Sequence, residues 1–210
     1  MPRLTLAPAA PPAPAATPLV RRAYAFAEHA HRGQRRKDGQ AYISHPVRVA
    51  RLLAERGYGE EVLAAALLHD VVEDTRVTLP EVRQAFGDRV ALLVGCVSED
   101  MSLPGAERKQ AYREQVRVGP ADARAICAAD KVCNIEDLRM TAAGGDHVAL
   151  QRFHGGLHAQ AQRFTAELEM LCDAGADEGL TDALRRGVAA LQAEARRLSI
   201  FAPVEHALAA

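Results

Sequence analysis

The sequence predicts an all-α fold, and three observations carry that prediction. Apolar residues recur at three- and four-residue spacing, as Val20, Ala23, Tyr24, Ala27 and Ala30 do over residues 20–32. No stretch alternates with the period of two that a half-buried strand requires. Helix punctuation falls between the periodic segments: Ser44, Thr78 and Asp88 at starts, Gly57, Gly59 and Gly87 at stops.

Taken in order, the elements begin with a tail. Six of the 11 prolines lie in residues 1–18, in a run such as Pro11-Pro12-Ala13-Pro14. Proline fixes φ and removes a donor, so this segment is expected to be a disordered Pro/Ala-rich tail. It also lacks the continuous apolar core of a secretory signal. Residues 19–200 are expected to form a single helical domain and residues 201–210 a C-terminal tail. Ser44 with Pro46 marks a helix start, and Gly57 and Gly59 its end. Residues 60–72 are apolar apart from Glu60, Glu61, His69 and Asp70, which predicts one central buried helix. Thr78 and Glu81 form a capping box opening a short helix that Gly87 closes, and Asp88 opens the next. Residues 98–105 read as a loop, 106–116 as a polar helix and 121–141 as a helix stopped by Gly144 and Gly145. A long helix follows to Cys172, and a last one spans Thr181 to Leu198. Its stripe of Leu180, Leu184, Val188 and Leu191 packs on its own domain or forms the seam of a homo-oligomer.

Composition bounds the partners. The chain has 210 residues, 26 Lys plus Arg against 27 Asp plus Glu, and a net charge of −1. No strong overall positive field is available to coat duplex nucleic acid, so a small-molecule partner is expected. No apolar run approaches the roughly 18 residues of a membrane span, so no membrane partner is expected. Trp is absent and aromatics are 4%, which leaves the core to Leu, Val, Ala and Ile. Cys96, Cys127, Cys133 and Cys172 form no CxxC pair, which fits free thiols in a cytoplasmic protein. Cys127 and Cys133 lie three residues either side of Asp130 but diverge around a helix, so they do not face one ion with it.

The sharpest chemical signal is His69-Asp70 in an apolar run. Burying a charged Asp costs several kcal/mol unless a cation or donors compensate. A hydrogen-bonded core pair would satisfy that need, and so would a divalent metal. His45 at the preceding helix start and Asp130 after the apolar Ala-Ile-Cys-Ala-Ala extend the set to two imidazoles and two carboxylates. Such N/O donors suit Mn²⁺, Fe²⁺, Co²⁺, Ni²⁺ or Zn²⁺. Glu73, four residues past His69, and Asp74 beside it either face solvent or accept a proton from water near the metal.

His45-Pro46, then Ala65-Ala66-Leu67-Leu68-His69-Asp70-Val71-Val72-Glu73-Asp74-Thr75, then Ala129-Asp130-Lys131-Val132-Cys133-Asn134, resemble the HD-domain hydrolases of the RelA/SpoT type. Upstream, Ala30-His31-x-Gly33-Gln34-x-x-Lys37 and Tyr42-Ile43-Ser44-His45-Pro46 also match, so the likeness covers about residues 20–170. It implies an HD-domain helical bundle and a Mn²⁺-dependent 3′-pyrophosphohydrolase of (p)ppGpp-like alarmones, releasing pyrophosphate and GDP or GTP. Another divalent transition metal is compatible with the same residues. The resemblance makes His45, His69, Asp70 and Asp130 the metal ligands. It has Glu73 and Asp74 activate or position water. Arg36 and Lys37 match a basic pair that contacts the nucleotide, and Asn134 matches a nucleoside-contacting Asn. Arg152-Phe153 and Glu107-Arg108-Lys109 resemble stretches of small stand-alone members, which makes Arg152 a substrate contact.

The chain departs from the long bifunctional enzymes at Asp38, Lys131, Cys133 and Ile135-Glu136-Asp137, toward the stand-alone hydrolases. These changes bear on base preference more than on metal binding. The roughly 40 residues after the core are too few for a synthetase half. Two other readings stay open: a phosphohydrolase of a different phosphorylated nucleotide (pppApp-like, a 2′- or 3′-phosphorylated cofactor, or a nucleoside monophosphate), and a non-catalytic nucleotide sensor.

Overall fold

The structure is a computed structural model that describes residues 17–36, 39–143 and 156–208. The expectations for residues 1–16, Lys37, Asp38, the two glycines at 144 and 145, and Arg152 lie outside the described residues. Contacts divide the chain into two compact units, Met1–Asp130 and Lys131–Ala210. Among the described residues every regular element is a helix, and an isolated bridge between Arg35 and Ala41 closes the loop after the first one.

The first unit holds α1 (Pro18–Ala30), α2 (Ser44–Ala54), α3 (Glu60–Leu68), α4 (Val71–Asp74), α5 (Leu79–Phe86), α6 (Asp88–Cys96), α7 (Gly105–Val118) and the first part of α8 (Ala121–Ala143). Helix α1 begins one residue earlier than its apolar pattern. Thr17 accepts a hydrogen bond from Val20 N–H at 3.3 Å, and Pro18 supplies a first-turn φ without a donor to satisfy. Helix α3 is the hub. Val62 to Leu68 are all buried, and the helix packs against α1, α2 and α6. A helix surrounded on every side can be apolar on every side, which is why its pattern shows no polar stripe. Along α8, Ala123, Ala125, Ile126, Cys127, Ala128 and Ala129 are buried.

The capping box is present: the Thr78 N–H donates to Glu81 Oε2 at 2.7 Å, and Gly87 ends α5 at φ +88°. Three expectations are corrected. Ser44 is the first residue of α2 rather than its cap; Ile43 takes the cap position in helical geometry, and no side chain caps that end. The buried helix expected over residues 60–72 is interrupted at His69 and Asp70, because Asp70, at ψ −8°, turns its backbone out of the α3 ladder. The last helix runs to Leu208, through most of the expected C-terminal tail; no glycine follows Leu198 to set a C-cap.

The second unit holds the remainder of α8, α9 (Gly156–Asp173) and α10 (Glu178–Leu208). Helices α9 and α10 pack against each other. Leu157, Ala161, Phe164, Leu168 and Leu171 meet a core that includes Leu180, Leu184, Val188 and Leu191, all buried within this chain. The stripe foreseen as a core or a seam is thus covered by its own unit. No helix among the described residues is long and apolar enough to cross a membrane.

Candidate functional site

Four side chains from separate stretches meet in the first unit. His45 is the second residue of α2, His69 and Asp70 form the turn between α3 and α4, and Asp130 lies in α8. His45 Nε2 is 2.9 Å from Asp130 Oδ1. His69 Nε2 lies 3.0 Å from Asp70 Oδ1 and 3.6 Å from Asp130 Oδ1. The two imidazole centroids are 5.3 Å apart. His45, His69 and Asp130 are 2%, 4% and 7% exposed, so the cluster sits below the surface.

Local folding sets each group. The break after Leu68 turns His69 inward, and its Nδ1 bonds the Ala66 carbonyl at 2.8 Å. A carbonyl accepts only, so Nδ1 carries the hydrogen and Nε2 is the nitrogen left to face the carboxylates. That nitrogen is buried without a well-aligned hydrogen-bond partner, and so is His45 Nδ1. Buried polar atoms rarely stay unsatisfied, and an orphaned imidazole nitrogen beside carboxylates has the donor chemistry of a divalent metal site. His45, His69 and Asp70 each offer a ligand atom, all within 4.8 Å of one another. The residues present therefore fit a divalent ion.

The electrostatics agree. Burial disfavours a charged His69 ring, yet the adjacent Asp70 and Asp130 carboxylates hold its pKa well above the ordinary value. Burial also opposes ionisation of Asp70, and the His69 charge overrides it, holding the carboxyl far below the carboxylate range.

Glu73 and Asp74 share the single turn of α4. Glu73 Oε1 accepts from the Glu99 backbone N–H at 2.5 Å, and Glu99 in turn pairs with Arg108 at 2.9 Å and with Lys109. Asp74 Oδ2 accepts from the Tyr42 hydroxyl at 2.5 Å. Arg36 sits in the loop before α2, its guanidinium 5.7 Å from the centre of the Tyr42 ring. Lys37 and Arg152 lie outside the described residues. Asn134 is half-buried one turn beyond Asp130 along α8. Lys131 pairs with Glu167 at 3.8 Å, and Cys133 is buried.

Sequence reasoning missed two supports. Tyr42, one turn before His45, binds Asp70 Oδ2 at 2.8 Å as well as Asp74. Burial and these two carboxylates push its phenol well above the ordinary tyrosine value, so it stays a donor. The Glu99 N–H was the other, and a backbone donor leaves no trace in the residue pattern. His31, part of the upstream stretch that matches the family, stacks on Tyr42 with centroids 4.4 Å apart.

The site is thus a buried His-Asp pair at a helix junction, joined by a second His and a distant Asp. The family model described as HD domain matches residues 23–160, and the chain belongs to that family. Among its relatives is the mouse guanosine-3′,5′-bis(diphosphate) 3′-pyrophosphohydrolase MESH1, 42% identical over 168 residues that span 74% of this chain and 92% of that protein. The human MESH1 is 46% identical over 133 residues, 61% of this chain and 74% of that protein. A solved structure of a metazoan SpoT ortholog that hydrolyses ppGpp superposes with a TM-score of 0.67 at 29% identity, covering 81% of this chain and 94% of that one.

Proposed function

We propose that this chain is a divalent-metal-dependent hydrolase that removes the 3′-pyrophosphate from guanosine 3′,5′-bis(diphosphate) and its triphosphate analogue, releasing pyrophosphate and GDP or GTP. The observation that carries the reading is the convergence of His45, His69, Asp70 and Asp130 within 3.6 Å contacts, in a chain that spans nearly the whole length of a relative named for that activity. These four residues would hold the ion, with Mn²⁺ our assignment among the divalent transition metals. Once bound, the ion supplies positive charge to the phosphoryl oxygens and lowers the pKa of water.

The chain's own residues do the rest. Glu73, held through Oε1 by the Glu99 N–H, would take a proton from the attacking water. The water oxygen bonds to phosphorus, the bond from phosphorus to the ribose 3′ oxygen breaks, and that oxygen takes up a proton. Asp74 holds the second carboxylate of the pair, and Arg36 provides a cation on the loop beside Tyr42 for the substrate's phosphates. Lys37, Asn134 and Arg152 complete the proposed substrate contacts. The free cysteines at 96, 127, 133 and 172 support a reducing compartment, and we assign the enzyme to the cytoplasm.

The test is a nucleotide panel. The Mn²⁺-loaded protein is incubated with ppGpp, pppGpp, pppApp, a 3′-phosphorylated cofactor and nucleoside monophosphates, and pyrophosphate and phosphate are quantified. Pyrophosphate and GDP from ppGpp are expected. Turnover of another nucleotide with ppGpp untouched would overturn the substrate, and binding of ppGpp with no turnover of anything would overturn the enzyme.

A further inference from the structure

The phenol of Tyr42 reaches two carboxylates that belong to different parts of the site. Its hydroxyl is 2.8 Å from Asp70 Oδ2 and 2.5 Å from Asp74 Oδ2. The other oxygen of Asp70, Oδ1, is the one 3.0 Å from His69 Nε2. The hydroxyl therefore ties off one carboxylate oxygen, while the other lies beside the His69 imidazole.

The ring is itself held. His31 stacks on it with an interplanar angle of 15°. Gln34 Oε1 accepts from His31 Nδ1 at 2.8 Å, and Gln34 Nε2 donates to the Asp74 carbonyl at 2.7 Å. Since that Nε2 is the Gln34 donor, its Oε1 is an acceptor and His31 Nδ1 carries the hydrogen. The end of α1, the loop before α2 and the turn at α4 are thus joined in one brace, with the Tyr42 hydroxyl as its contact with the metal cluster.

We propose that Tyr42 is a positioning residue that fixes Asp70 as a one-oxygen ligand and ties it to Asp74. The inference rests on the metal site proposed above. A phenol has one hydrogen to share between two carboxylates, so deleting the hydroxyl releases both at once. Ligating carboxylates are oriented by such outer hydrogen bonds, and losing one typically costs 10- to 100-fold in metal affinity or activity, on the order of what is expected here.

The test is Tyr42→Phe, which keeps the ring and its stack on His31. Mn²⁺ affinity is measured by calorimetry on metal-free protein, beside the metal-free melting temperature and the kcat and KM for ppGpp at saturating Mn²⁺. A loss of metal affinity of about fivefold or more, with the melting temperature held within about 3 °C, supports the inference. The expected kinetic companion is a lower kcat with KM nearly unchanged. A smaller loss overturns it whatever the turnover, and so does a loss that comes with a larger fall in melting temperature. Should the variant fail to fold, a crystal structure of the Mn²⁺-loaded wild type decides. The Tyr42 hydroxyl on Asp70 Oδ2 supports the inference, and Asp70 gripping the ion through both oxygens overturns it. Absence of ppGpp turnover in wild type would overturn the proposed activity alone, since the affinity measurement does not depend on it.

Discussion

Replacing Glu73 with Gln separates holding from proton transfer. The side chain of Glu73 does two things: Oε1 takes the Glu99 N–H at 2.5 Å, and the carboxylate as a whole can accept a proton. A Gln oxygen can still accept from the same N–H, so the link between α4 and the loop before α7 survives. The amide cannot act as a base near neutral pH. General-base catalysis contributes typically 10²- to 10⁴-fold, so kcat should fall by about 10²-fold or more, roughly 2.7 kcal/mol of barrier at its lower end. KM for ppGpp and affinity for Mn²⁺ should stay within a few-fold, because Glu73 is outside the His45, His69, Asp70 and Asp130 cluster. Steady-state kinetics on ppGpp, with metal content measured on the same preparation, decide the matter. Wild-type kcat in Glu73→Gln would remove its role as base. A parallel collapse of metal content would instead make it a ligand and break the division of labour argued here.

Other expectations follow from the same geometry. His69→Ala or Asp70→Ala should abolish metal binding and turnover together, read by metal analysis after loading; a metal-replete Asp70→Ala would contradict the ligand assignment. Because the metal-free His69 ring is held protonated above its ordinary pKa of 6.5, that proton must leave before the nitrogen can ligate. Metal affinity should therefore climb as pH rises through the neutral range, and calorimetry in buffers of different ionisation heat should show proton release; a pH-independent affinity would refute this. Leu67→Ala in α3, fully buried in the hub, should cost about 2–5 kcal/mol of stability by denaturant titration. Glu81 is held below its ordinary value by the Thr78 bonds, so it stabilises the fold above that value and the contribution is lost as pH falls through its lowered pKa. Glu81→Gln should make acid unfolding less dependent on this range, and an unchanged acid transition would deny the capping box a part in it.

What the residue pattern disclosed and what it hid divide along sequence distance. The Thr78–Glu81 box and the Gly87 stop are complete within one turn, and both are where the residues predict them. The apolar run of α3 announced a buried helix, because burial on every side is a property of that segment alone. The same apolarity concealed the break at His69: a turn at Asp70 needs only a change in ψ, and neither residue type forbids a continuing helix. Ser44 shows the converse, a good cap residue that the chain used as a first helical residue instead.

The cluster itself joins His45 to Asp130 across 85 positions, and no periodicity spans that distance. It was legible through the rarity of its residues in their setting: a charged pair in an apolar helix demands a partner. Tyr42 carried no such flag. A tyrosine in a loop satisfies itself with solvent, and its bonds to Asp70 and Asp74 arise from tertiary folding 28 and 32 residues away. Residues that would be costly to bury without help thus betray a site in advance, whereas residues that supply the help look ordinary until the fold brings them in. The donors that bond Asp70, Asp74 and Glu73, namely the Tyr42 hydroxyl and the Glu99 N–H, belong to the second kind. For the same reason, replacing Tyr42 by Phe changes nothing a sequence pattern would notice, while it removes the hydroxyl bonded to both Asp70 and Asp74.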